Sequence, residues 1–535
     1  MIFGLLMGVT GARMTGDSRY YAYSIDDRLD GHYYDFIEFG HLFWRPLGLI
    51  AYQAFQPVLT RLVGNDRLAG IMTALVGLNW AFSLLALLLM YRLAERLGAS
   101  RWASWLATCA LCVSFGFLNY AHSGTPYIPG LACLILALTV MAGAADADAD
   151  AGAGSAIAVG VALACAVGFW TAYVLAIPMA LAFPLIHFGP DRRRWRYVAL
   201  MTLAFGLAVG LSFSSAILAL GIRDIAGVRS WIRSASHGIE IGGVSRMIFG
   251  IPRSFLSMGN DGRLFKRYLL HDPYAPVSLA DLIRLSLAKI GLFYIVLLTT
   301  LIGLVRDRPG RRMLVMLALG GVPTLAFAVM WQGGDVERYM PVYPLVFAAW
   351  ALVLGGSRPS RIVQTLVIAL FLMMTVANLP ALSSSAIDRR MKALDVRTAE
   401  LLSSTGPDDL ILTVNQADEV SLTLSDLELR SGRKLRLFGI VAAGHEDTGA
   451  WKKAFSRRIR EAWDRGGSAW VSTRAFRKTP KPDWGWVEGE DRRIPWTDIP
   501  AYFSRFTTGA RLGGEDGFVL LPKSPGNEDL LGPVR

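Results

Sequence analysis

Between residues 68 and 380 the sequence is divided into apolar blocks separated by short charged loops. Each block is about 20 residues long and apolar on every side, without the one-sided stripe of a helix that packs on a soluble core. That pattern restricts the chain to a bundle of helices in a bilayer. Composition agrees, with 53% hydrophobic and 18% charged residues, against roughly a quarter charged in soluble domains. The mean hydropathy is +0.40. A net charge of +12 does not indicate nucleic acid, because the basic residues sit in short loops, where they orient a membrane protein. All four cysteines (Cys109, Cys112, Cys133, Cys165) fall inside apolar blocks. The C-x-x-C at Cys109 lacks a neighbouring βαβ pattern or a histidine, so these are read as small packing residues.

The expected spans are 1–14, 68–90, 102–118, 126–143, 155–169, 172–186, 197–220, 286–305, 312–331, 339–355 and 362–380. The stretch 155–186 is long for one crossing and short for two. Charge decides for two. The loops 91–101, 187–197, 306–312 and 356–361 then place thirteen arginines on one side. The short loops opposite, around Asn119–Gly124 and Gln332–Arg338, hold only Arg338. The positive-inside rule then gives eleven spans with the N-terminus in the cytoplasm and the C-terminus outside. The first block has only about eleven apolar residues before Arg13, well short of a crossing. It is read as a first helix cut short at its start, since a signal peptide would need a basic start and an A-x-A-like site. An Ala/Asp linker beginning at Ala144 is a spacer on the arginine-rich side.

Three segments face outward with enough length to carry chemistry: 15–67, 221–285 and everything after 381. The last alternates helix and strand: a helix at 387–404, strands at 409–414 and 435–442, a helix at 451–466, then strands at 468–473 and 517–522. This pattern predicts a small domain with a short, mostly parallel sheet. It lacks G-x-G-x-x-G and P-loop spacing, so no nucleotide chemistry is assigned to it. The fold class is therefore an all-α polytopic membrane protein of about eleven transmembrane helices, residues 1–380, with a small C-terminal α/β extramembrane domain, 381–535.

The stretch 15–48 carries five Asp, one Glu, two His and five Tyr. A plain solvated loop would hold fewer aromatics. Tyr20, Tyr21, Tyr23, Tyr33, Tyr34, Phe36, Phe39, Phe43 and Trp44 alternate with Asp17, Asp26, Asp27, Asp30, Asp35 and Glu38. Carboxylates beside aromatic walls hold sugar rings and tune a general base. The next stretch, "HLFWRPLGLIAYQAFQPVLTRL", reads as an amphipathic interfacial helix with Pro46 in its first turn. His41 and Arg45 would then face the acids. For cations, "IPRSFLSMGNDGRLFKRYLLHDPYAP" offers Arg253, Arg263, Lys266, Arg267 and His271. Arginine gives bidentate contact to phosphate and lysine a point charge. Arg338, beside a span mouth and next to Tyr339, is the strongest single candidate, with Glu337 as a partner.

An outward loop opening with an Asp, its aromatics, the "GH…RPL" step and the interfacial helix resemble the GT-C superfamily of integral-membrane glycosyltransferases. "GGDVERYMPVYPLVFAAWALVL" (333–354) is similar to the E-R-Y-x-x-P-x-x-P segment that opens a late span in many of them. The stretch 156–185 is similar to their paired short helices, and the resemblance covers roughly 1–380. It implies a GT-C fold and a hexosyl or pentosyl transferase using a polyprenyl-phosphate sugar, with Asp17 matching the first-loop acid that serves as general base. The family's second outward loop often holds another acid. Here it is "NYAHSGTPYIPG", so His122 or Glu38 takes that role or the role is absent, and a divalent metal is compatible but not required.

Residue chemistry makes the same assignment. A periplasmic enzyme has no nucleotide-sugar pool, so the donor crosses already attached to a lipid. Displacement at its anomeric carbon needs a base on the acceptor hydroxyl and cations for the leaving phosphate. The expected acceptor and sugar contacts are Tyr20, Tyr21, Asp35, Glu38, His41 and His122. Donor-phosphate contacts are Arg45, Arg253, Lys266, Arg267, His271, Arg338 and Tyr339. The expected setting is a bacterial inner membrane, with the C-terminal domain in the periplasm and a glycan, lipid or protein as acceptor. The rival readings are a flippase for lipid-linked glycans, which would place ionisable groups at mid-membrane and show repeated halves, and an arginine-centred ligase or polymerase of such glycans.

Overall fold

The structure is a computed structural model that describes residues 2–12, 18–31, 36–146, 152–189, 192–234, 243–258, 264, 267–268, 276–306, 308–331, 333–355, 360–414, 419–421, 424–431, 433–440, 451–481 and 494–531. The chain divides into two compact units, residues 1–259 with 288–384, and residues 260–287 with 385–535.

In the first unit the helices are α1 (Ile2–Val9), α2 (Ser18–Leu29), α3 (Trp44–Val63), α4 (Arg67–Arg96), α5 (Arg101–Val113), α6 (Phe115–Ala121), α7 (Tyr127–Asp146), α8 (Ala153–Phe169), α9 (Ile177–His187), α10 (Arg192–Ala219), α11 (Ile225–Ser234), α12 (Gly243–Phe255), α13 (Ala288–Leu304), α14 (Arg308–Met330), α15 (Tyr343–Gly355) and α16 (Arg361–Ala381). Turns of 3-10 helix at Phe39–His41, Thr171–Ala176 and Val336–Val342 join them. Among the described residues six spans are long and apolar enough to cross a membrane: α4, α7, α10, α14, α15 with its leading turn, and α16. A seventh is the pair α5–α6, bent by 64° at Ser114, while α8, Thr171–His187 and α13 are shorter apolar helices. Leu203, Leu207, Leu211 and Leu218 of α10, and Ile362, Leu372 and Val376 of α16, point away from the core. Apolar area on this scale is stable against lipid rather than water. The chain is a multi-pass membrane protein.

The blocks read from the sequence between 68 and 380 are all helical. The first is short: α1 is eight residues long, about 12 Å at 1.5 Å per residue. It is tied down by a bridge between Thr10 and Ser383 and by the Gly11 N–H donating to the Leu382 carbonyl at 2.8 Å. The stretch 155–186 breaks at Trp170, whose backbone is extended (φ −150°, ψ 116°). Its indole packs between Tyr127 and Tyr173, at 5.0 and 5.5 Å. Phe183 and His187 at the end of α9 lie beside Ala142 and Ala145 at the end of α7. Helices α8 and α9 therefore run out and back. Arg96, His187 and Arg312 surround one cavity, so three of the arginine-rich loops share one end of the bundle. Tyr120, Tyr127 and Trp170, at the close of α6, the start of α7 and the close of α8, lie at the other end.

The second unit holds a five-stranded sheet in the order β2-β1-β3-β5-β4, with β1 Leu410–Thr413, β2 Arg436–Gly439, β3 Ala469–Ser472, β4 Arg511–Leu512 and β5 Phe518–Leu521. The helix Trp451–Asp464 buries Trp451, Phe455, Ile459 and Trp463 in the same core as Leu410, Leu412, Ala469 and Val471 of the sheet. The sheet is mixed rather than mostly parallel: β1 pairs parallel with β2 and β3, whereas β5 runs antiparallel to β3 and β4. The cause is local. The β4–β5 link is the tight turn Gly513–Gly517, with Gly513 and Gly514 at φ 74° and 72°, and it reverses the chain without a crossover helix.

Candidate active site

The turn Gly333–Glu337, which leads into α15, is fastened through its carbonyls. Tyr339 donates its hydroxyl to the Gly333 carbonyl at 2.5 Å, Arg253 donates to Gly334 at 2.5 Å, and Ser254 donates to Val336 at 2.7 Å. Gly250 of α12 allows the approach, because a Cβ there would lie 1.8 Å from the Gly333 oxygen. With those oxygens occupied, the turn presents its acids to two arginines. Arg338 lies 3.2 Å from Asp335 and 3.7 Å from Glu337, with its guanidinium over Trp331 at 5.1 Å and Phe327 at 5.7 Å. Burial pushes the Asp335 carboxyl up to about 6; Glu337 adds to the rise, and Arg338 and Arg253 oppose it. A carboxyl that titrates near neutrality is suited to move a proton.

The first loop contributes a second cationic centre. Arg45, in the first turn of α3, is completely buried and pairs with Glu38 at 2.9 Å. It lies over the rings of Tyr20 at 4.7 Å and Tyr21 at 5.0 Å. Desolvating a guanidinium is expensive, and one carboxylate with two ring faces offsets it. Helix α2 supports those rings by burying Tyr21, Ala22 and Ile25 in one cluster with Ile71 and Leu75 of α4. On its exposed side Asp26 and Asp30 hold Arg67. His41 donates Nδ1–H to the Phe169 carbonyl at 3.0 Å, which leaves Nε2 as the acceptor nitrogen of the neutral ring. Its ring meets Tyr21 at 5.6 Å and Tyr127 at 5.9 Å edge-on.

The two centres are joined through the second outward loop. Tyr127 lies edge-on to Tyr120 at 4.8 Å, and the Tyr120 hydroxyl donates to Glu337 at 2.5 Å. A continuous path of side chains thus runs from Arg45 and Tyr21 through His41, Tyr127 and Tyr120 to Glu337 and Arg338. The second loop has no acid of its own, but the fold brings one to it from 217 residues away in sequence. His122 sits to one side of this path. Thr10 donates its hydroxyl to the Leu6 carbonyl at 2.6 Å, so His122 Nε2–H is the donor in their 2.8 Å contact. Burial lowers the His122 imidazole to about 4, so it is neutral at pH 7.

Of the residues named from sequence, Tyr21, Glu38, His41, Arg45, Arg253, Arg338 and Tyr339 belong to these two centres and their support. Tyr20 is half-exposed beside Arg45. Tyr339 turns its hydroxyl inward to hold the turn, and Arg253 does the same with one guanidinium N–H. Arg267 is buried in the second unit. Asp17, Asp35, Arg263, Lys266 and His271 lie outside the described residues, although Ser18, which follows Asp17, donates its hydroxyl to the Ser123 carbonyl. Trp170 and Tyr173, at the tip of the paired short helices, read from sequence as packing residues or the lining of a groove, and Trp170 does pack against Tyr127 and Tyr173. Asp335, Tyr120 and Tyr127 were not singled out. Asp335 had a local signal, an acid after a Gly-Gly pair directly before a span. The two tyrosines had none, since their partners are remote. Among the described residues no group of three or more His, Cys, Asp or Glu could hold a metal ion.

No known protein family and no curated protein matches the sequence. Among solved structures, the chain is similar to ArnT from Cupriavidus metallidurans in the apo state, at 12% identity and TM-score 0.49, over 98% of this chain and 96% of that one. The same protein bound to undecaprenyl phosphate gives 13% identity and TM-score 0.47, over 98% and 95%. The apo oligosaccharyltransferase of Archaeoglobus fulgidus gives 13% identity and TM-score 0.47, over 87% of this chain and 66% of that one.

Proposed function

We propose that this protein is an inverting membrane glycosyltransferase of the GT-C type, transferring a sugar from a polyprenyl phosphate to a cell-envelope acceptor on the periplasmic face. The observation that carries the reading is the convergence of Arg253 and Arg338 on one acidic turn. That turn lies at the same end of the helices as the aromatic wall of Tyr120, Tyr127 and Trp170. An acceptor hydroxyl attacks the anomeric carbon, Asp17 takes the hydroxyl proton, and a new C–O bond forms on the face opposite the breaking one. The polyprenyl phosphate leaves with the electron pair of the old bond. Arg253 and Arg338 receive the departing charge, the kind of preorganised electrostatic contact that often contributes most to a barrier. Glu337 and Asp335 hold Arg338 in place before the donor arrives. Glu38 and His41 present polar atoms beside aromatic rings, as sugar recognition needs.

Location of charge favours this over a flippase. The charged groups of the path sit at helix ends and turns, whereas a carrier of lipid-linked glycans would need them at mid-membrane. Purified protein in liposomes separates the two readings. With a polyprenyl-phosphate sugar in the bilayer, donor should be consumed only when acceptor is present, and free polyprenyl phosphate should accumulate one-for-one with product. Movement of intact donor between leaflets without cleavage would establish the carrier instead.

A further inference from the structure

At the arginine-rich end of the bundle, the ends of α4, α7, α9 and α15 and the start of α14 enclose a cavity of about 190 Å³. Helix α7 spans the distance between this cavity and the Tyr127 end, about 30 Å for its 20 residues. The cavity has no part in the path from Arg45 to Arg338. Its polar lining is Arg96, His187 and Arg312, with no acidic side chain among the described residues.

Arg96 is held in position by two features. It donates Nη1–H to the Thr139 carbonyl at 2.7 Å, and Gly143 lets the guanidinium lie flat on α7, because a Cβ there would be 2.3 Å from Nη1. A guanidinium has five N–H donors, so that single bond leaves most of its capacity. His187 stacks on Phe183 at 4.3 Å, with the ring planes 14° apart. Its Nε2 is buried without a hydrogen-bond partner among the described residues. Arg312 stands in the opening turns of α14, where the helix dipole favours negative charge. Two guanidinium groups and an orphaned imidazole nitrogen thus surround a space about six times the ~30 Å³ that a water takes in the liquid.

We propose that this cavity binds a phosphate group, carried by an anionic phospholipid headgroup or by a free phosphate ester. Arg96 and Arg312 supply paired N–H donors matched to phosphate oxygens, and His187 supplies a third contact. Phe183, Met313 and Leu352 wall the rest of the cavity and suit the apolar part of the ligand. This site is independent of the sugar-transfer reading and of which residue acts as base there.

Two probes test it on the full-length protein. Lipid-free micelles are titrated with inorganic phosphate and followed by thermal unfolding. Nanodiscs of phosphatidylcholine doped with phosphatidylglycerol are analysed by native mass spectrometry for retained lipid. Saturable stabilisation by phosphate assigns the site to free phosphate esters, and retention of phosphatidylglycerol alone assigns it to headgroups. In either case Arg312→Gln should weaken binding about tenfold or more. Ala145→Phe, which fills the cavity without removing charge, should do the same and decides the matter if the arginine variant does not fold. Arg308→Gln, exposed on the same helix and not lining the cavity, should bind as wild type. Absence of saturable binding by either probe, or wild-type binding by the filled variant, would overturn the proposal.

Discussion

Asp335 is where one side chain's environment makes the sharpest prediction. Its carboxyl titrates near 6 because burial disfavours the anion more than its two arginines favour it. If its ionised form keeps Arg338 poised for phosphate, kcat/KM should climb as pH rises through about 6. Asp335→Asn should erase that limb and lower the rate at pH 8 by about tenfold. Stability moves the opposite way. A carboxyl whose folded value lies above its unfolded one, about 3.9, stabilises fully below pH 4 and loses that contribution as pH passes 6. The variant should therefore be relatively more stable than wild type at pH 8 than at pH 4, read by thermal unfolding at both. This residue also marks how far the sequence could be read. "GGDVERY" drew attention to Arg338 and Glu337, but nothing local reveals that Tyr120 donates to Glu337 or that Arg253 reaches Gly334.

Helices were far more legible than the contacts between them. A block of apolar residues fixes a membrane helix through its own composition, so α4 to α10 and α13 to α16 fall where hydropathy puts them, whereas α11 and α12, inside the outward segment 221–285, were not foreseen. The clamp that locks their ends does not show in any window. Asn378 of α16 donates to the carbonyls of Val113 and Phe255, the last residues of α5 and α12, at 2.7 and 2.8 Å. It accepts from the Ser257 N–H at 2.7 Å, while Lys289 donates to the Ser257 carbonyl at 2.9 Å. One amide thus satisfies two helix-end carbonyls beside the 64° bend at Ser114. Asn378→Leu leaves three buried backbone groups unpaired at about 1–3 kcal/mol each. Unfolding in detergent should show a loss of about 3 kcal/mol or more, and a loss below 1 kcal/mol would mean water replaces the amide. In the second unit β4 was not foreseen, while β1, β2, β3 and β5 fell on the apolar runs read as strands. Their pairing did not follow, because whether β5 runs with or against β3 depends on a reversal between two-residue β4 and β5 rather than on the strands themselves.

At the scale of the whole molecule, charge separates the two ends. Short arginine loops gather around Arg96 and Arg312, and the acidic, aromatic segments gather around Arg45 and Arg338. The proposed function needs the first end to be cytoplasmic, as the positive-inside rule expects. A cysteine-free background carrying Asp27→Cys should react with an impermeant maleimide from the periplasm, and one carrying Arg311→Cys only after the membrane is opened. The reverse pattern would expose the candidate site to nucleotide sugars and remove the case for a lipid-linked donor. The central claim is that Asp17 is the base for a sugar leaving a lipid-borne phosphate, and Asp17→Asn in reconstituted membranes tests it most directly. Transfer should fall by a factor of about 10²–10⁴ while membrane insertion and donor binding stay at wild-type levels; a variant that keeps more than about a tenth of the wild-type rate would contradict it.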